Sequence, residues 1–303
     1  MVNVLSPGSR KSLWGEGPVW WENRLWYVDI EGHALIRLDP ASGTETVWPM
    51  LERIGFALPC ADGRWICGGD SGIYLFTPET SQREPLASPE PQLPNNRFND
   101  AAIAPDGRLF AGTIATDKTA GAATLYRVDH NLTCHPVLPG LTNSNGIDWS
   151  PDGTTLYHID TPTRTVSAFD YDSASGAIEN RRTFINTEPL INASPDGLTV
   201  DAEGHLWIAF CHGACVMRFE PVHGNFVQRI DLPCIETTSC CFGGPGLTTL
   251  YVTTGIAKNK DEPLAGQILA LDGPGIRGKP QQAFGCKKCS GQPRSIPAHI
   301  RCG

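Results

Sequence analysis

Four polar residues recur at one position of a repeated pattern, and their types suit a hard metal ion. Each stands seven residues before an acid or Asn of a turn, and they are Glu16, Asn99, Asn145 and Asp196. Carboxylate and amide oxygens are the ligands that Ca²⁺ and Mg²⁺ prefer, and water fills the remaining positions. His and Cys do not occur at this position, which disfavours a structural zinc site. The pattern therefore predicts a site for a divalent cation.

The alternative is that these residues only form turns or begin strands. Asn145-Gly146 and Asp196-Gly197 fit that role, since Asn-Gly and Asp-Gly are common turn pairs. Glu16 does not fit it, because Glu is a poor turn former.

Arg97 lies two residues before Asn99, and alternate residues of a strand face the same side. The two side chains would then offer several hydrogen-bond donors to a polyol. A surface Arg paired with Asp100 is the alternative.

The polar positions belong to a unit that recurs six times. Each copy has a short apolar strand with an aromatic residue at one fixed place, and a second, alternating strand follows it. Acid-Gly pairs such as Asp106-Gly107 precede several copies and are hairpin signals, because Gly tolerates positive φ. The spacing of the aromatic residues is typical of the blades of a propeller. These aromatic residues are Trp26, Trp65, Phe110, Tyr157, Trp207 and Tyr251.

These repeats predict an all-β fold, a six-bladed β-propeller with four-stranded antiparallel blades. Residues 2–5 would supply the last strand of the sixth blade, since an open ring leaves two unpaired edges. Inner strands line the channel of a propeller, so the four polar residues are expected to converge on its axis. Blades two and six offer Gly55 and 237–238 at this position and are expected to add no charge there. An irregular β-sandwich is the alternative, but sandwiches do not repeat at this period.

The propeller is expected to span 1–285. The tail, 286–303, shows no strand alternation and fits no blade. An ordered cap, a disordered end or an addition from outside the natural chain would each explain it.

Composition limits the partners and the compartment. The formal net charge is −8 and no Lys/Arg block precedes the tail, so nucleic acid is not an expected partner. No apolar run reaches about 18 residues, so no membrane span is expected. Residues 1–14 lack an apolar signal core, which predicts an unexported, cytoplasmic chain. The oligomeric state stays open between a monomer and a weak dimer.

The chain has eleven cysteines, which in an unexported protein are expected to be buried free thiols. Cys211-His212 with Cys215, and Cys286 with Cys289, could hold a soft metal. Neither group has a second matching pair, which disfavours zinc.

A serine nucleophile is disfavoured. Ser144 and Ser150 lack the Gly-x-Ser-x-Gly elbow that exposes such a residue. His158 and His212 lie in or after strands, and both are expected in the core or at the rim.

Four motifs in the same order resemble the gluconolactonase/regucalcin (senescence-marker protein) family of six-bladed propellers. The resemblance covers residues 13 to 285 and implies a divalent-metal lactonase that opens a sugar lactone to the aldonic acid. It implies Glu16, Asn145 and Asp196 as metal ligands, and Arg97 and Asn99 as substrate contacts. The motifs are Gly15-Glu16-Gly17-Pro18, Arg97-Phe98-Asn99-Asp100, Asn145-Gly146 with Asp160-Thr161, and Pro195-Asp196-Gly197.

The resemblance also implies one divalent ion and a small sugar lactone as the partner. Ca²⁺ is the first expectation, and Mg²⁺, Mn²⁺ and Zn²⁺ are the alternatives. Asp196 is the expected catalytic residue, a ligand that also serves as general base. Some members of the family contact the sugar through a Glu between blades three and four, but 115–123 has none here.

Two other functions could use the same site. A calcium-binding or ligand-binding propeller without catalysis has no need of the Arg97/Asn99 pair, which counts against it. The fold does not distinguish a sugar lactonase from a phosphotriesterase-like or aryl-esterase-like hydrolase, because one fold hosts many functions.

Overall fold

The computed structural model describes residues 3–256, 261–272 and 275–285, and these contain 24 β-strands. The strands of the first half, in chain order, are β1 Asn3–Leu5, β2 Gly15–Trp21, β3 Arg24–Asp29, β4 Ala34–Asp39, β5 Thr44–Pro49, β6 Ile54–Pro59, β7 Trp65–Gly69, β8 Gly72–Thr77, β9 Gln82–Ala87, β10 Asn96–Ile103, β11 Leu109–Ala115 and β12 Ala123–Val128. Those of the second half are β13 Cys134–Leu141, β14 Ser144–Trp149, β15 Thr155–Asp160, β16 Thr165–Asp172, β17 Ala177–Asn186, β18 Ser194–Val200, β19 Leu206–Cys211, β20 Cys215–Phe219, β21 Phe226–Asp231, β22 Thr237–Gly243, β23 Thr249–Thr254 and β24 Leu269–Asp272. Two single-turn 3₁₀ helices, Thr161–Thr163 and Pro245–Leu247, interrupt them.

These strands form six four-stranded antiparallel sheets, which confirms the predicted propeller. Five sheets are consecutive in sequence, and the sixth has the order β1-β24-β23-β22. In that sheet Val4 lies opposite Leu271, so the N-terminal strand closes the ring as predicted. Within the described part of the chain, no helix is long or apolar enough to cross a lipid bilayer.

The repeated aromatic residues hold the blades together. All six lie on the second strand of a blade and all are buried. Between blades one and two, for example, the rings of Trp26 and Trp65 have their centroids 4.1 Å apart. Truncating a buried aromatic residue to Ala typically costs about 3–5 kcal/mol. Each copy of the sequence repeat therefore supplies one buried aromatic residue to the core.

Each blade has a β-bulge near the start of its innermost strand. The six innermost strands, β2, β6, β10, β14, β18 and β22, contact one another in turn around the axis. Bulges turn side chains in new directions, and they are common beside functional sites. The pairing with the second strand shifts between Glu16 and Val19, Ile54 and Phe56, Phe98 and Ala101, Asn145 and Ile147, Pro195 and Leu198, and Thr237 and Ser239.

The segment 275–285 closes one mouth of the channel. This mouth lies at the ends of the innermost strands that are farthest from the bulges. The backbone of the segment pairs with turns of several blades: Ala202 N donates to Arg277 O, Phe284 N to Pro59 O, and Gly285 N to Gly107 O. Beneath it is a cavity of about 400 Å³, lined by Asp100, Asp148, Trp149 and Lys279 among others. The tail predicted at 286–303 lies outside the described residues.

Candidate metal centre

Arg97, Asn99 and Asn145 form a hydrogen-bonded row across blades three and four. Arg97 Nη1 donates to Asn99 Oδ1 at 2.8 Å, and Asn99 Nδ2 donates to Asn145 Oδ1 at 3.0 Å. Arg97 is only 8% exposed, and no acid among the described residues forms an ion pair with it. The alternative of a surface Arg paired with Asp100 is therefore wrong.

Close approach of the inner strands brings these residues together. A Cβ atom on Gly55 would lie 2.3 Å from Asn99 O, and one on Gly146 would lie 2.7 Å from Asp196 O. Real Cβ atoms do not come so close to a carbonyl oxygen, so both positions require glycine. Between blades six and one, Thr238 Oγ1 donates to Gly15 O at 2.6 Å. Gly55, which leaves blade two without a polar side chain at the repeated position, thus provides the space for Asn99 of blade three.

Glu16 and Asp196 are two buried carboxyl groups that influence each other. Burial, and after it the charge of Asp100, raise the pKa of Glu16 to about 8. Burial also raises the pKa of Asp196 well above its ordinary value, and the charges of Glu16 and Asp100 add to it. Arg97 opposes both effects. The single charge of Arg97 does not balance the buried carboxyl groups of Glu16, Asp196 and Asp100. A buried charge without a partner lowers the stability of the fold.

The donor set fits a hard divalent ion. Glu16 and Asp196 supply carboxylate oxygens, and Asn145 supplies an amide oxygen whose orientation is set by its own hydrogen bonds. All three are at most 7% exposed. A divalent cation there would neutralise the carboxyl groups whose burial is otherwise uncompensated.

Arg97 remains a cation beside this set. Burial, and after it the charge of Arg53, lower the pKa of its guanidinium to about 10, so it stays protonated near neutral pH. Its Nε is buried without a hydrogen-bond partner. The guanidinium thus has a donor left over for a bound molecule.

Comparison with known proteins places this chain. A family model described as "SMP-30/Gluconolactonase/LRE-like region" matches residues 14–256. The chain belongs to this family. Regucalcin from Homo sapiens is 37% identical to it over 288 residues, which cover 87% of this chain and 92% of that protein.

Two solved structures show the same fold. A luciferin-regenerating enzyme superimposes with a TM-score of 0.88 at 26% identity, covering 94% of this chain and 99% of that one. A regucalcin from Agrobacterium tumefaciens, described as a calcium-binding protein, gives 0.87 at 28% identity, covering 93% and 97%. Both resemble this chain over nearly its whole length.

Asp100 is a buried acid of the candidate metal centre that the sequence did not reveal, and its charge acts on Glu16 and Asp196. Burial raises the pKa of its carboxyl group to about 6, while Ala101 N donates to it at 2.7 Å. Alternation along a strand predicts that Asn99 and Asp100 face opposite sides. The bulge between Phe98 and Ala101 interrupts that alternation. Nothing in the local sequence signals the bulge.

Glu236 is the second such residue. It is fully buried, and its charge raises the pKa of Asp196. The repeated position of blade six, 237–238, carries no charge, but this acid directly precedes it. The position of Glu236 next to 237–238 is the sequence signal by which it could have been found.

His158 and Ser144 form a buried pair, with Ser144 Oγ 2.8 Å from His158 Nε2. Burial lowers the pKa of His158 to about 3, and the charge of Arg181 adds to this, so the ring is neutral. Both residues are at most 1% exposed. The core position predicted for His158 is confirmed, and Ser144 is shielded from any ligand.

The cysteines agree with the sequence expectation where they are described. All of them in 3–256 are free thiols, and most are buried. Cys286 and Cys289 lie outside the described residues.

Proposed function

We propose that this protein is a divalent-metal-dependent lactonase that opens a sugar lactone to the aldonic acid. The observation that supports this is that two buried carboxyl groups, Glu16 and Asp196, act on each other and on the buried cation Arg97. Asn145 is buried on the inner strand next to that of Asp196. The oxygen-only donor set favours Ca²⁺, with Mg²⁺, Mn²⁺ and Zn²⁺ as alternatives. Membership of a family named for gluconolactonase supports the substrate class.

When bound by Glu16, Asn145 and Asp196, the ion supplies a positive charge that polarises the ester carbonyl. Asp196 serves as general base: it takes a proton from water while the water oxygen bonds to the carbonyl carbon. The ring C–O bond then breaks, and the alkoxide leaving group takes the proton back from Asp196. Burial and the neighbouring acids raise the pKa of Asp196, and a nearby positive charge would lower it and so favour the ionised form that acts as a base.

Arg97 and Asn99 position the substrate. The guanidinium and the amide are held 2.8 Å apart by their own hydrogen bond. They are suited to bind ring hydroxyls and hold the ester near attack distance. The loop 116–121 has no Glu to add a contact.

The test is a pH-stat assay of sugar lactones, aryl esters and fluorophosphates. The protein is stripped with a chelator, and Ca²⁺, Mg²⁺, Mn²⁺ or Zn²⁺ is then restored. We expect metal-dependent turnover of sugar lactones. Tight metal binding without any turnover would instead support the binding-protein alternative, and turnover of fluorophosphates alone would support the phosphotriesterase.

Asp196→Asn tests the base. We expect turnover to fall by about 10²–10⁴-fold, the usual contribution of general base catalysis. The matched control is Asp148→Asn at the opposite end of the channel, where Asp148 pairs with Lys279 at 2.9 Å. Full activity of Asp196→Asn would exclude it as the base.

A further inference from the structure

Cys211, His212 and Glu236 converge on one point next to the candidate metal centre. Cys211 Sγ lies 3.2 Å from Glu236 Oε2, and His212 Nδ1 lies 2.7 Å from the same oxygen. The distance from Cys211 Sγ to His212 Nδ1 is 3.8 Å. A thiol, an imidazole and a carboxyl group thus face one another.

The backbone permits this although the first two residues are adjacent. Consecutive side chains of a strand point to opposite faces. Cys211 ends β19, and His212 has a φ of +64°, which turns the chain so that both side chains reach Glu236. Cys211 also forms an isolated β-bridge with Glu236, which holds blades five and six together here.

The carboxyl group of Glu236 is not fully satisfied. Its side chain is completely buried, and Oε1 has no hydrogen-bond partner. No Lys or Arg of the described residues forms an ion pair with it. A buried acid with an open oxygen calls for a cation.

A second cluster of potential ligands shows the contrast. Asp201, Glu203 and His205 also lie close together. There, however, Arg218 Nη2 is 3.0 Å from Asp201 and 2.9 Å from Glu203. That cluster already contains its cation, whereas no Lys or Arg of the described residues pairs with Glu236.

The separations are close to those of a tetrahedral metal site. Zn–S bonds of about 2.3 Å and Zn–N or Zn–O bonds of about 2.0–2.1 Å place neighbouring ligand atoms about 3.4–3.6 Å apart. The observed 3.2, 2.7 and 3.8 Å require shifts of no more than about 0.7 Å. The His212 side chain is 40% exposed, which gives an ion a path from solvent.

We propose that Cys211, His212 and Glu236 form a second metal site, which takes a thiophilic divalent ion such as Zn²⁺. The ion replaces the thiol proton and the imidazole proton that now face Glu236, and water completes the fourth position. Cys215, which the sequence grouped with Cys211 and His212, is not part of it. The site differs from the oxygen-lined centre by its sulfur ligand.

The probe is Co²⁺, added to chelator-stripped full-length protein with and without excess Ca²⁺. We expect one equivalent of Co²⁺ to produce a thiolate-to-cobalt charge-transfer band that Ca²⁺ does not remove. Cys211→Ser should abolish the band. The matched control is Cys215→Ser, which removes a buried thiol from the next strand and should retain it.

Glu236→Gln provides a second variant that keeps the shape of the side chain. Losing this ligand should weaken Zn²⁺ and Co²⁺ binding by at least the about 10–100-fold that follows loss of an outer partner. If circular dichroism shows that Cys211→Ser does not fold, Glu236→Gln decides the question. Absence of the band in the wild type, its persistence in Cys211→Ser, or unchanged affinity in Glu236→Gln would each overturn the proposal. Because lactone hydrolysis is not the readout, failure here is separate from failure of the proposed function.

Discussion

Asn145 and Thr161 are joined by a hydrogen bond in which the amide nitrogen donates to the hydroxyl oxygen at 2.9 Å. The Thr161 hydroxyl in turn donates to Pro195 O at 3.0 Å. Since a hydroxyl has one proton, it accepts from Asn145 and donates to blade five. This fixes which end of the amide faces the axis, and the Oδ1 atom is left toward Asn99 and the candidate ion.

Thr161→Val should therefore weaken metal binding without removing a ligand. Valine keeps the shape but neither accepts from Asn145 nor donates to Pro195. We expect an about 10-fold or larger loss of Ca²⁺ affinity, as is typical for outer partners of a metal ligand. Isothermal titration calorimetry measures it, and Thr163→Val, an exposed residue of the same turn, is the control. Equal affinities in the two variants would contradict this role.

The stability of the metal-free protein should fall as pH rises from 6.5 to 8. The pKa of Glu16 is raised from 4.5 to about 8, so the folded state holds a proton that the unfolded chain has released. This contribution is complete below the unfolded pKa and is lost as pH passes through the folded pKa. His158, whose pKa is lowered from 6.5 to about 3, acts at lower pH and in the opposite direction.

Ca²⁺ should reverse this trend, because it binds the ionised carboxylates. Thermal unfolding followed by circular dichroism, in chelator and in Ca²⁺, measures both curves. Glu16→Gln should flatten the slope in chelator. A metal-free melting temperature that rises steadily between pH 6.5 and pH 8 would contradict the assignment.

Arg97→Met should separate substrate binding from metal binding. Losing hydrogen bonds from a charged group costs about 1.5–3 kcal/mol, so kcat/KM should fall by about 10–100-fold. Ca²⁺ affinity should not fall, because the variant removes a positive charge that acts on Glu16 and Asp196. Kinetics on a sugar lactone and calorimetry with Ca²⁺ give the two values. Arg97→Lys, which keeps the charge, is the control, and a parallel loss of Ca²⁺ affinity in Arg97→Met would refute the assignment.

Ser144→Ala should leave catalysis in place while lowering stability. The hydroxyl is buried against the neutral ring of His158, and its loss leaves Nε2 without that partner. An unsatisfied buried polar group costs about 1–3 kcal/mol in the free energy of unfolding. Urea unfolding and turnover are measured on the same variant. Loss of turnover in a folded Ser144→Ala protein would revive the serine nucleophile.

Removal of residues 1–5 should open the ring. Strand β1 pairs with β24 through Asn3, Val4 and Leu5, so the truncated sixth blade has an unpaired edge. Exposed edges promote association. We expect a lower melting temperature and larger species in size-exclusion chromatography. Val4→Ala, which retains the backbone pairing, is the control and should stay close to the wild type.

The sequence by itself determined the architecture and most of the proposed ligands. Aromatic residues such as Trp26 and Trp207 recur because each blade needs the same core anchor, so the repeat reports the number of blades. Glu16, Asn145 and Asp196 were found because a repeated fold gives corresponding residues corresponding places. Their roles remain proposals, but their convergence is what the ring imposes.

Only the tertiary structure revealed the contacts and the surroundings of Asp100, Thr161 and Glu236. A bulge depends on how two strands pair, so alternation along one strand could not show that Asp100 turns toward the channel. Thr161 links Asn145 of its own blade to Pro195 of blade five. Glu236 acts across the boundary between blades five and six, on Asp196 and Cys211. Contacts between distant parts of the chain, and the burial that raises pKa values, exist only once the ring has closed.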